Sequence, residues 1–392
     1  MPEARSTERE DAPARGAAPA RDRAFDVARG IAILAIVVGH VLRGLTSADL
    51  VPRTSPAVLE VDDAFYAWHL TIFAVLLGVF LRPGVEKHGP RAYIRSRVTL
   101  FAYLYAVWTV LFGVTRRFTD VAAQAAEEGV DAVEPEVVAG RWDGFVGDRL
   151  HALLVADGPL WWLGFLVLVT VVGALVRPWS SRAKAVVSSV VVAVGSLLAW
   201  GWTGPWVLME GLALLAFVWF GLLAGRQRVA ALTRSARARW VALVGIGAGA
   251  AALWLTDPMP PTSWMGPRTL WAFAWGVPTS IALCLGVFAL SGSIGRRAVG
   301  RPLAFLGERS LEIFLAHIVL TDMARKLLTV AGVTDLTVHM VVGSVAGVLG
   351  PLGLWWLGRR LHAPWLFVLP HPLRPARRGP GRQPAGRKPA QR

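Results

Sequence analysis

Ten long apolar blocks constrain this chain more than any other feature. They lie near residues 25–45, 62–81, 98–113, 159–176, 183–202, 205–225, 238–256, 270–290, 303–328 and 337–357. A bilayer core about 30 Å thick takes roughly 20 helical residues at 1.5 Å each, so each block is long enough to cross it. The third is the shortest and can extend to Phe118. Composition agrees: 54% of the 392 residues are hydrophobic and only 17% charged, against about 25% charged in soluble domains. Tryptophans at block ends (Trp108, Trp161, Trp202, Trp206, Trp271, Trp355) suit the headgroup level, where an amphipathic ring can face both phases. The expected fold is an all-α polytopic membrane bundle of about ten transmembrane helices, both termini cytoplasmic.

The net charge of +15 invites a nucleic-acid reading, but a nucleic-acid domain carries its basic residues as a patch on a soluble fold. Here they sit between the apolar blocks and in the two tails, so no nucleic-acid partner is expected. With the N-terminus inside, thirty of the 41 Lys and Arg fall in cytoplasmic segments and seven (Arg43, Arg53, Arg116, Arg117, Arg141, Arg149, Arg268) outside, as the positive-inside rule requires. The chain then divides into a disordered cytoplasmic tail over 1–24, a ten-helix membrane domain over 25–358 and a basic cytoplasmic tail over 359–392. The first 24 residues are polar and do not read as a cleaved signal peptide. An acidic extracytoplasmic segment, 114–158, carries Glu127, Glu128, Asp131, Glu134 and Glu136. One cysteine, Cys284, rules out an internal disulfide and a Cys-based metal site, and no metal is expected. The bilayer is the first partner, and a multi-pass position in the cell (plasma or inner) membrane is the expected location.

Ionisable groups at membrane depth cost several kcal/mol and mark function by default. In the first block Arg29 and His40 are eleven residues apart, three helical turns and about 20°, so they share a face about 16–17 Å apart along the axis. Asp26 is placed to pair with Arg29. Glycines at 30 and 39 allow close approach. Counting from the cytoplasmic face, His40, His69 and His317 all fall at about 20 Å depth on three different helices. Glu308 and Glu312 stand below His317. The bland alternative for a single intramembrane histidine is an interhelical hydrogen bond. Glu210 reads as interfacial, and Asp157, Asp257 and His339 as solvated helix ends.

These residues carry a family resemblance. The run Asp26-Val-Ala-Arg29-Gly30 through Gly39-His40 resembles the opening motif of the membrane acyltransferase-3 family. Trp68-His69-Leu70-Thr71-Ile72-Phe73 through Gly78 is similar to the family's Phe-His-Met-Pro pattern at the His, the Phe and the Gly. Leu160-Trp161-Trp162-Leu163 and Gly307-Glu308-Arg309-Ser310-Leu311-Glu312-Ile313-Phe314-Leu315-Ala316-His317 complete an ordered set from the first block to the ninth. Thr71 and Leu77 depart from the usual Pro and Ser, and Leu100 stands where a second arginine of the cytoplasmic basic motif falls, leaving Arg91, Arg95 and Arg97.

The resemblance implies an O-acyltransferase, commonly an O-acetyltransferase, that moves an acyl group from cytoplasmic acyl-CoA to a hydroxyl of a surface or cell-wall carbohydrate. No bound cofactor is implied; acyl-CoA (acetyl-CoA) is a co-substrate. His40 is the expected general base, since neutral imidazole suits that task near pH 7. Asp26 orients Arg29; Arg29, Arg95 and Arg97 meet the donor phosphates; His69, Glu312 and His317 hold the acceptor or polarise the site. Two other readings stay open: a transporter or flippase of a lipid-linked or small polar substrate, and a catalytically inactive relative.

Overall fold

The structure is a computed structural model that describes residues 22–52, 55–128, 142–155, 158–202, 207, 209–264 and 266–373. The expectations for Arg53, Asp131, Glu134, Glu136, Arg141, Asp157, Trp206 and most of both tails lie outside the described residues.

The described residues form helices and no strands. In chain order they are α1 (Arg23–Ser47), α2 (Pro56–Tyr66), α3 (His69–His88), α4 (Pro90–Glu128), α5 (Phe145–Val155), α6 (Trp161–Val176), α7 (Arg182–Leu198), α8 (Leu215–Arg234), α9 (Ala238–Thr256), α10 (Leu270–Gly295), α11 (Gly300–Glu308), α12 (Ser310–Val330) and α13 (Leu336–Arg360). Every apolar block contains a helix among its described residues. Among the described residues eight spans are long and apolar enough to cross a membrane by length and composition. Two blocks fall short of that standard for physical reasons. Helix α7 has 17 residues, and α12 carries Glu312, Asp322, Arg325 and Lys326. Valines 186, 187, 190, 191 and 194 of α7 and Leu243, Val244, Trp254 and Leu255 of α9 are exposed. Contiguous apolar surface of this kind is at home in lipid. The protein is an all-α polytopic membrane bundle.

Helix α1 is the axis of the bundle. It is the most buried of the apolar spans and packs against α2, α3, α8, α10, α11, α12 and α13. Its small residues permit this. A Cβ on Gly30 would fall on the Leu303 carbonyl of α11, and one on Gly307 would fall on the Asp26 carbonyl of α1. The two backbones therefore cross at reciprocal glycine contacts, the close approach that small residues allow in membranes. Burial on α1 is what gives its few polar side chains defined neighbours.

Two blocks that read as single helices are broken. The second is split at Ala67–Trp68, so His69 opens α3 rather than lying seven residues inside one helix; Trp68 takes the non-helical φ −139° and ψ −30°. The ninth is split at Arg309 (φ −104°, ψ 15°), which places Glu312 in the first turn of α12. The third block runs on far past Phe118: α4 has 39 residues, about 58 Å at 1.5 Å per residue, and so reaches well beyond a bilayer core. Part of the acidic 114–158 segment is thus the C-terminal end of α4, followed by α5.

Not all the tryptophans sit at an interface. Trp202 and Trp271 are exposed, but Trp108 and Trp161 are 3% and 7% accessible. Trp108 has gone inward because its indole N–H finds a protein partner, the Leu366 carbonyl at 2.8 Å. Tyr103 holds the Trp365 carbonyl at 3.0 Å, and Phe367 packs on Trp108 at 5.7 Å. The chain beyond Arg360 is therefore packed against α4 through Trp365, Leu366 and Phe367, and Leu369 after them is also buried.

Candidate functional site

Two of the three membrane histidines, on α1 and α12, meet, and the third, on α3, lies near them. The His40 and His317 rings are edge to face, with centroids 5.0 Å apart. His69 is within electrostatic reach of His40 and packs on Tyr66 at 4.7 Å. Each ring is set by the same local device. His40 Nδ1 lies 2.8 Å from the Ile36 carbonyl, His69 Nδ1 2.5 Å from Phe65, and His317 Nδ1 2.7 Å from Phe314 and 3.1 Å from Ile313. A carbonyl only accepts, so Nδ1 carries the proton in each ring and Nε2 keeps its lone pair. For His40 and His317 the partners lie three or four residues back on their own helix, whereas for His69 the partner is Phe65 of α2, across the break at Trp68. His69 and His317 are 2% and 0% accessible; His40 is half-buried and opens onto a cavity.

Two cavities meet this centre from opposite ends of α1. The first, about 480 Å³, is lined by His40, Arg43, Tyr66, Trp161, Glu210, Ser263, Asp322, Arg325 and His339 among others. The second, about 400 Å³, is lined by Arg29, Ile33, Ile36, Phe73, Phe80, Tyr93, Arg97, Trp162, Ser310 and Phe314. Residues 29, 33, 36 and 40 form one stripe along α1. Its lower three members line the second cavity and His40 the first. The carbonyls that orient His40 and His317 belong to Ile36 and Phe314, which wall the second cavity.

Arg29 is held by Asp26, 3% accessible, at 3.3 Å and lies 5.1 Å from the Phe80 ring centroid. Arg97 joins it on the cavity wall and stacks on Tyr93 at 5.7 Å. Arg95 is exposed and does not line the cavity: two residues apart on a helix, it and Arg97 point about 200° apart. Glu312 is not with the histidines either. It faces Arg309 at 4.0 Å, and its five-residue offset from His317 turns it about 140° away.

Several cavity residues were not anticipated. Arg43 forms a two-pronged pair with Asp62, Nε to Oδ1 at 2.6 Å and Nη2 to Oδ2 at 2.5 Å, and stacks 3.7 Å from the Tyr66 centroid. The available signal was its position three residues after His40, on the same helical face. His339, expected at a solvated end, is 3% accessible, and its Nε2–H donates to the Val333 carbonyl at 2.9 Å. Glu210, expected at the interface, lies in the turn ahead of α8 and lines the first cavity. Burial pushes its carboxyl up to about 7, with the Arg43 cation pulling the other way. Ser263, also on this wall, takes the left-handed φ of 61°. Among the described residues no group of three His, Cys, Asp or Glu side chains is placed to hold a metal ion.

No curated protein and no solved structure matches the chain. A family model described as an acyltransferase domain matches residues 22–356. That match begins one residue before α1 and ends within α13, so it contains both cavities and the histidine centre between them. The chain belongs to the acyltransferase-3 family, and it is a multi-pass membrane acyltransferase.

Proposed function

We propose that the protein moves an acyl group, acetyl in the simplest case, from cytoplasmic acyl-CoA to a hydroxyl of a surface or cell-wall carbohydrate. The observation that carries this reading is the pair of cavities on either side of the His40–His317 contact. The cavity with Arg29 and Arg97 suits a phosphate-bearing donor. The other mixes aromatic walls with hydroxyl, carboxyl and imidazole groups, a lining that suits a polyhydroxylated acceptor. With the amino terminus inside, the donor cavity opens toward the cytoplasm and the acceptor cavity away from it.

His40 is the base in this scheme. Its Nδ1–H is committed to Ile36, so Nε2 is free to take a proton. The acceptor oxygen bonds to the thioester carbon and its proton passes to Nε2. The tetrahedral intermediate then collapses with cleavage of the C–S bond, and the departing thiolate takes the proton from His40. Asp26 fixes Arg29, and His317 packs edge-on against His40 to hold its ring.

The test is release of free thiol from acetyl-CoA by membranes carrying wild type or His40→Ala, with and without an isolated cell-envelope glycan fraction. Release should require both the glycan and His40, and the variant should fall about 100- to 10,000-fold. Full activity in folded His40→Ala would remove the base assignment. No release by folded wild type with any acyl-CoA, together with solute movement across vesicles, would favour a transporter.

A further inference from the structure

Arg43 lies three residues beyond His40 on α1, on the same face, with Cβ atoms about 5–6 Å apart. Both line the acceptor cavity. The guanidinium is fixed from two sides, by the two-pronged Asp62 pair and by the Tyr66 ring beneath it. Asp62 is 2% accessible while the Arg43 side chain keeps 30% of its surface, so the carboxylate of this pair is desolvated and the guanidinium is partly open. Such pairs seldom improve stability over an apolar substitute, so holding a rigid cation beside a base calls for a use. Asp62 occupies the Nε and Nη2 edge of the fork, which leaves the Nη1 amino group for another partner. Arg325, also on this wall, pairs with Asp322 within α12 and stands eight residues past His317, about 12 Å along the axis.

Attack of a hydroxyl on a thioester drives an electron pair onto the carbonyl oxygen, and this happens at the carbon that the hydroxyl beside His40 is attacking. A fixed donor at that oxygen gives most when it needs no reorganisation and little water surrounds it. We propose that Arg43 stabilises this oxyanion, with Asp62 and Tyr66 as positioning residues. The proposal rests on acyl transfer at His40. As the C–O bond forms and the proton passes to His40 Nε2, the carbonyl electron pair moves onto the oxygen facing Arg43. When that pair returns, the C–S bond breaks and the thiolate takes the proton back from His40. Arg43 gains and loses nothing.

The experiment uses full-length protein in membranes, acetyl-CoA and the glycan fraction, comparing wild type, His40→Ala, Arg43→Lys and the double variant Arg43→Gln/Asp62→Asn. The double variant removes the Asp62 carboxylate that Arg43→Gln alone would leave buried without its partner. Its kcat should drop about 100- to 1,000-fold, with KM for acetyl-CoA within about threefold and a melting temperature close to wild type. Arg43→Lys keeps the charge but loses the fork, so its kcat should fall between the two. A folded double variant with kcat within about threefold of wild type, or with the whole loss in KM, overturns the oxyanion role. If the double variant does not fold, wild-type kcat in Arg43→Lys overturns it instead. An inactive His40→Ala beside a fully active double variant removes Arg43 alone, whereas a fully active His40→Ala removes the His40 reading and this one together.

Discussion

At the scale of single residues, the centre is built from groups whose state is set by neighbours rather than by type. His40 is a base candidate because the Ile36 carbonyl occupies its other nitrogen. Glu210 shows the same dependence through burial. Burial pushes its carboxyl up to about 7 in the folded protein from an ordinary value of 4.5. The cost of burying its charge is therefore absent below pH 4.5, accumulates up to about pH 7 and is complete above that. Glu210→Gln removes this cost, so the variant should gain melting temperature over wild type at pH 8 and show little difference at pH 4.5. Thermal unfolding in detergent at the two pH values measures this, and an equal offset at both would mean that Glu210 is not strained by its charge. Arg29, His40, His69 and His317 could be singled out from hydropathy alone, because a polar residue inside an apolar run is conspicuous. Arg43, Glu210 and His339 could not, because they stand at block ends, where charge is ordinary.

At the scale of elements, helix breaks and glycine crossings place the site. The break at Trp68 puts His69 at the start of α3 beside Tyr66, and the break at Arg309 separates Glu312 from the histidines. The α1–α11 crossing carries the donor end: Gly307 lies against the Asp26 carbonyl, one turn from Arg29. Gly307→Ala should force the helices apart, costing about 1–3 kcal/mol and loosening the Asp26–Arg29 pair. A fall in melting temperature with a rise in KM for acetyl-CoA is expected; unchanged values for both would show that the crossing has room to spare. Periodicity reveals that a helix exists over 62–81 and 303–328; the break at Ala67–Trp68 lies in an apolar run and leaves no mark in hydropathy, whereas the break at Arg309 coincides with the polar stretch Gly307-Glu308-Arg309-Ser310.

For the whole molecule, the two-ended arrangement predicts which substrate part each end feels. Arg29 and Arg97 should matter through donor phosphates. Arg97→Gln should then raise KM about tenfold for acetyl-CoA and leave it unchanged for acetyl-N-acetylcysteamine, a thioester without phosphate. Equal effects on both donors would place Arg97 elsewhere in the mechanism. Arg95→Gln, by contrast, should be nearly silent, since that side chain is off the cavity wall that Arg97 lines.

Taken alone, the order of residues determined that this chain lives in a membrane, that its fold is helical, which family it belongs to and which intramembrane groups stand on one face of α1. Those conclusions depend on local quantities: the length of an apolar run, the 100° step of a helix and the spacing of a motif. Only the tertiary structure decided that His40 and His317 touch, that Arg97 but not Arg95 lines the same cavity as Arg29, and that Arg43 is locked to Asp62 on the cavity wall that His40 shares. These depend on how α1, α2, α4 and α12 cross, which is settled by packing among many helices at once. An arginine three residues after a histidine, or a glutamate in a turn, looks the same in sequence whether it faces solvent or a cavity.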